Sequence, residues 1–91
     1  MLWTIYSDYF ATGEGRTLQA LIIYANDEKE AIEKFGKIFD PYFAKGAIAQ
    51  EGVVENEIIN YLFSKEVLEQ TKKLEGKANI KLFSEFHFNL S

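Results

Sequence analysis

Cysteine is absent from this chain of 91 residues, and proline, histidine and tryptophan each occur once. The lack of cysteine excludes disulfides, thiolate metal ligands and thiol catalysis. Small secreted domains often depend on disulfides, so we expect a cytoplasmic protein. The longest apolar run, Ala20 to Ala25, is too short to span a bilayer, and the first residues lack the basic and apolar segments of a secretory signal. We therefore expect no membrane partner.

Basic residues are also scarce. Ten lysines and arginines stand against fourteen aspartates and glutamates, which gives a net charge of -4, and Arg16 is the only arginine. Nucleic-acid backbones attract basic patches, and the sequence contains none. Stacking of single-stranded bases on sheet aromatics would also need surrounding cations. We expect no nucleic-acid partner.

The segment from Thr17 to Phe39 combines a strand and a helix. Thr17–Asn26 is apolar on both faces, as expected of an inner strand. Asp27 is a suitable N-cap for the helix that follows, and Glu30 three residues later completes a capping box. Pro41 predicts that this helix stops near Phe39. Its apolar stripe comprises Ala31, Ile32, Phe35, Ile38 and Phe39.

The remaining elements are defined by β-branched and aromatic runs, turns and caps. The first strand is Leu2–Phe10, and the glycine-containing loop Ala11–Arg16 predicts an antiparallel hairpin with the second strand. A helical region begins at Asn56 and ends near Gly76, and Ser64 could start a separate helix within it. The two further predicted strands are 47–54 and 79–90.

These elements follow the order β-β-α-β-α-β and predict one α+β domain over residues 1–91. The expected architecture is a two-layer sandwich, in which two helical regions cover one face of a four-stranded mixed or antiparallel sheet. The sequence leaves the strand order open.

Glu85 and His87 are the best candidates for chemistry. They lie two positions apart on one strand, which places them on one face about 7 Å apart at the backbone. A carboxylate beside an imidazole can orient a general base, so a small enzyme or ligand-binding domain is the alternative function. We favour an ordinary surface pair and a non-catalytic protein. With one histidine and no cysteine, we expect no metal site and no cofactor.

The aromatic residues of the strands favour a binding function. One helical layer cannot cover all of them, and aromatic side chains are enriched at protein interfaces. The candidates for an open, partner-binding sheet face are Trp3, Tyr6, Tyr9 and Phe83. We expect a homodimer, or binding of another protein, through this face. Helix curvature and the aromatic loop after the first helix could instead bury most of these rings.

Overall fold

A long antiparallel hairpin forms the centre of the fold. The computed structural model describes residues 1–11 and 15–89. Strands β1 (Leu2–Ala11) and β2 (Gly15–Tyr24) pair from Leu2 opposite Tyr24 to Ala11 opposite Gly15. The predicted hairpin is therefore confirmed, while the middle of its loop, residues 12–14, lies outside the described residues.

Two further strands complete an antiparallel sheet. β3 (Ile48–Glu51) pairs with β1, and β4 (Lys81–Phe88) pairs with β2. The strand order is β3-β1-β2-β4, so the hairpin is central and the two later strands form the edges. This confirms the predicted α+β class with a four-stranded antiparallel sheet. The predicted end of the last strand at Leu90 lies outside the described residues.

Side-chain caps define the helix boundaries. The Asp27, Asn56 and Ser64 side chains accept hydrogen bonds from the backbone three residues ahead, at 2.8, 2.9 and 3.2 Å. These bonds satisfy N–H groups that have no partner within the helix. Ser64 therefore starts a separate helix, and the second helical region is two helices. Within the described part of the chain, the helices are α1 (Glu28–Ile38), α2 (Pro41–Ala44), α3 (Glu57–Leu62) and α4 (Lys65–Leu74).

The helices cover both faces of the sheet, which differs from the predicted two-layer arrangement. On the first face, called the α1 face, Ile5 and Leu21 pack in one buried cluster with Phe35 of α1. On the opposite face, called the α3 face, the neighbouring residues Leu2, Ala20 and Ile22 form a second cluster with Ile59, Phe63, Leu68 and Ile80.

The composition of β2 explains the two helical layers. Residues 20–23 are apolar without interruption, and successive side chains of a strand point to opposite faces. Covering only one face would expose half of this run to water. Each face therefore needs a helical layer. On the α1 face α1 provides the fully buried Phe35, and on the α3 face α3 and α4 provide Ile59 and Leu68.

Candidate functional site

Strand β4 forms one edge of the sheet. It pairs with β2 from Lys81 opposite Ile23 to Phe88 opposite Arg16, and among the described residues no strand pairs with its outer side. In an edge strand the outward backbone N–H and C=O groups are available to another chain. The opposite edge, β3, has four residues, whereas β4 has eight.

Aromatic residues of β4 are exposed on both faces of this edge. Phe83 lies on the α1 face, where its ring meets Phe39 edge-on at 6.3 Å, and it remains 58% exposed. Phe86 lies on the α3 face and remains 44% exposed, although it contacts Phe88 at 4.7 Å and Tyr61 at 5.4 Å. We call these four residues, Phe83, Phe86, Phe88 and Tyr61, the β4 aromatic surface.

An apolar groove lies beside the start of β4. It has a volume of about 410 Å³ and opens between α4 and the segment leading into the strand. Its apolar lining includes Val67, Leu74, Ile80 and Leu82. Val67 and Leu74 are partly exposed on α4, whereas Ile80 is buried in the core cluster of the α3 face. The groove and the β4 aromatic surface therefore lie along the same strand.

The predicted pair Glu85 and His87 lies on the α1 face of β4, with each side chain bound to a different partner on β2. Gln19 donates a hydrogen bond to Glu85, and Thr17 Oγ1 lies 2.7 Å from His87 Nδ1. Thr17 and Gln19 stand directly opposite His87 and Glu85 in the strand register. The pair thus shares a face, as predicted, but each member is held by its own cross-strand neighbour.

Gln19 is the buried polar group beneath this strip. It is only 1% exposed, and its Oε1 has no hydrogen-bond partner among the described residues. Sequence reasoning missed this residue because it treated β2 as an apolar strand. The available signal was a single amide side chain within that apolar run, which in a buried position needs a polar neighbour.

The four predicted partner-binding aromatics do not form one surface. Trp3 is only 7% exposed and belongs to the core under α1. Tyr6 points to the opposite face and its hydroxyl donates to Gln50. Tyr9 packs against Tyr42 and Phe43 of α2 at 5.6 and 5.2 Å. Among the four, Phe83 is the residue that lies largely exposed on the edge strand.

Phe86, Phe88 and Tyr61 were not predicted to bind a partner. Because side chains alternate along a strand, Phe86 and Phe88 lie on the face of β4 opposite Phe83. In the structure Phe86 and Phe88 lie beside the loop end of the hairpin, opposite Leu18 and Arg16 of β2, respectively. There Tyr61 of α3 contacts both rings, whereas α4 lies beside the other end of the strand.

Comparisons with known proteins leave the family undefined. No protein-family model matches the chain, and neither the curated proteins nor the solved structures contain a match. Within residues 1–11 and 15–89, no group of three or more histidine and acidic side chains is placed to hold a metal ion. Nor is any helix in this part of the chain long and apolar enough to cross a membrane.

Proposed function

We propose that this protein is a non-catalytic binding domain, which associates with a second copy of itself or with another protein through β4. The observation that carries the proposal is the edge strand with Phe83 exposed on one face and Phe86 on the other. A protein surface that covers these rings would remove apolar area from water, which is the main favourable term in association.

The geometry of Glu85 and His87 favours this function over the alternative of a small enzyme. A general base is usually oriented by a third group and lies within reach of a nucleophile or substrate. Here Glu85 and His87 lie on the edge strand β4, and each is hydrogen-bonded to a separate side chain of β2. The arrangement supports a polar strip that flanks the aromatic surface. The proposal keeps the cytoplasmic location expected from the cysteine-free sequence.

The test is the oligomeric state of two matched variants. Phe83→Glu places a charge in the β4 aromatic surface, and Ile48→Glu makes the same kind of change at an exposed residue of the opposite edge strand. Size-exclusion chromatography with light scattering, from micromolar to millimolar protein, should show association of the wild type. Phe83→Glu should reduce the mass to that of a monomer, and Ile48→Glu should leave it unchanged.

Circular dichroism should show that both variants remain folded, since both positions are exposed. If Phe83→Glu associates as strongly as the wild type, β4 is not the binding surface. The binding function is rejected if two results are obtained together. The wild type is a monomer over the whole concentration range, and the immobilised wild type retains no folded partner protein that the immobilised Phe83→Glu variant fails to retain.

A further inference from the structure

We propose that the occupant of the β4 edge is a second copy of this chain, paired antiparallel to β4 around a two-fold axis at Phe83. The two four-stranded sheets would then form one continuous sheet across the dimer. This inference rests on the proposed function, because it assumes association through β4, and it specifies the occupant and the strand register.

The backbone of β4 favours strand pairing as the mode of contact. Its eight residues form a regular strand, and its outer side has no partner strand among residues 1–11 and 15–89. An exposed edge of this length offers alternating N–H and C=O groups to an incoming strand. The side chains beside them alternate between the two faces, so a paired strand would contact both Phe83 and Phe86.

Charge complementarity selects the register. With the axis at Phe83, Lys81 stands opposite the partner's Glu85, and by symmetry Glu85 stands opposite the partner's Lys81. Directly opposed residues of antiparallel strands share a face, so both pairs can form ion pairs on the α1 face. An axis at Glu85 would instead oppose two carboxylates, which is unfavourable.

The apolar groove supports the same register from the other face. With the axis at Phe83, the partner's Phe86 stands opposite Ile80, which lines the groove beside α4. The exposed phenylalanine of one copy would therefore meet the open apolar groove of the other, and this contact occurs twice in the dimer. On the α1 face the two copies of Phe83 would cover each other at the axis.

One other register has complementary charges. An axis at Phe86 places Glu85 opposite the partner's His87, which is favourable when the imidazole is protonated. In that register Phe86 stands opposite the partner's Phe86. The partner's Phe86 then does not reach the groove beside Ile80, so no phenylalanine covers the groove. The two registers thus make different predictions for Lys81 and for distances across the dimer.

Charge reversal tests the Lys81–Glu85 pairing. Lys81→Glu and Glu85→Lys should each weaken dimerisation, by about tenfold at low salt, because each turns two attractive cross-strand pairs into repulsive ones. The double variant restores opposite charges and should recover the wild-type dissociation constant. Sedimentation equilibrium gives these constants. Lys45→Glu, an exposed lysine outside β4, is the control and should leave dimerisation unchanged.

Spin-label distances test the register directly. Because the chain has no cysteine, Asn79→Cys and Asn89→Cys each introduce a single labelling site. With the axis at Phe83, the two copies of residue 79 should lie roughly 27 Å apart along the strands and those of residue 89 roughly 41 Å apart. With the axis at Phe86, the order reverses to roughly 48 Å and roughly 20 Å.

The outcomes separate this inference from the proposed function. Failure of the double variant to recover dimerisation, or a shorter distance at residue 89 than at residue 79, overturns the Phe83-centred pairing. The binding function itself survives that result if Phe83→Glu still abolishes association. A wild type that is monomeric at millimolar concentration overturns the self-pairing, and the function is then decided by the partner-release test with Phe83→Glu.

Discussion

At the residue scale, a few polar side chains join separate parts of the sheet. Thr4 is fully buried, and its Oγ1 donates to Gly52 O at 2.6 Å while it accepts from Val54 N at 3.2 Å. One hydroxyl thereby satisfies two backbone groups of the segment that follows β3. Near the loop end of the hairpin, the Arg16 guanidinium donates two hydrogen bonds to the Asp8 carboxylate, at 2.8 and 2.7 Å.

Removal of the Thr4 hydroxyl should destabilise the fold. Thr4→Val keeps the shape but leaves the Gly52 carbonyl and the Val54 N–H without this partner, so we expect a loss of about 1–3 kcal/mol in the free energy of unfolding. Thr4→Ser keeps the hydroxyl and should lose only the methyl contribution, about 1 kcal/mol or less. Urea unfolding measures both values. A valine variant as stable as the wild type would contradict this account of Thr4.

The Asp8 carboxyl should have a pKa below the ordinary aspartate value. The hydrogen bonds from the Arg16 guanidinium, reinforced by its positive charge, lower the pKa of Asp8 and outweigh the effect of slight burial. Arg16→Gln should return this pKa toward the ordinary aspartate value of about 3.9. Carboxyl NMR titration measures it, and Lys29→Gln, which removes a cation elsewhere, should leave it unchanged.

The direction of this shift sets a pH dependence. A carboxyl whose pKa is lower in the folded state stabilises the fold at pH values above its unfolded pKa, and this contribution is lost as the pH falls through the folded pKa. Since Asp8 is depressed below about 3.9, the loss belongs below about pH 4. The pair is exposed, with side chains 45% and 37% accessible, so the effect on stability is small.

At the element scale, local chemistry predicted most of the boundaries. The Asp27 cap, the apolar stripe through Phe35 and the stop before Pro41 all agree with α1 as observed. The glycine-containing loop predicted the central hairpin, and Ser64 marks the break between α3 and α4. These features depend on interactions within a few residues, which is why the sequence pattern is informative about them.

The faces covered by the helices could not be predicted in the same way. An amphipathic stripe shows that α1 and α4 each bury one side, but it does not say which face of the sheet receives it. The exposure of Phe86 likewise depends on how α3 and α4 are placed relative to β4. Both features depend on packing between segments that are far apart in the chain. The position of the candidate site depends on the same packing, so it could not be predicted from the sequence.

Truncation of one buried side chain on each face tests the arrangement of helices on both faces. Phe35→Ala and Leu68→Ala each create a cavity in a different core, and we expect losses of about 3–5 and about 2–5 kcal/mol in the free energy of unfolding. Their exposed neighbours provide the controls, because Lys37→Ala and Gln70→Ala should stay within about 0.5 kcal/mol.

Urea unfolding of the four variants gives the comparison. Since Phe35 and Leu68 lie in separate clusters, the double variant should show losses that add within about 0.5 kcal/mol. A negligible loss for Phe35→Ala would mean that α1 does not pack on the α1 face, and a negligible loss for Leu68→Ala would mean that α4 does not pack on the α3 face.

At the scale of the whole molecule, the two sheet edges differ. The molecule is elongated, with a longest dimension of 44 Å. β4 pairs with β2 over eight residues, whereas β3 pairs with β1 only at residues 3–6 of β1. Helices cover the central strands on both faces. Among the described residues, the largely exposed aromatic residues of the sheet are Phe83 and Phe86 on β4 and Phe10 near the hairpin loop on β1. The asymmetry between a four-residue and an eight-residue edge is the basis for placing association at β4.

Amide hydrogen exchange as a function of concentration tests this central claim most directly. If β4 pairs with another copy, the outward-facing amides within residues 81–88 should exchange more slowly as the protein is raised from micromolar to millimolar concentration. Amides of the opposite edge, residues 48–51, should show no such dependence, and neither edge should change in Phe83→Glu. Exchange of the β4 amides that is independent of concentration over this range would contradict self-association through β4.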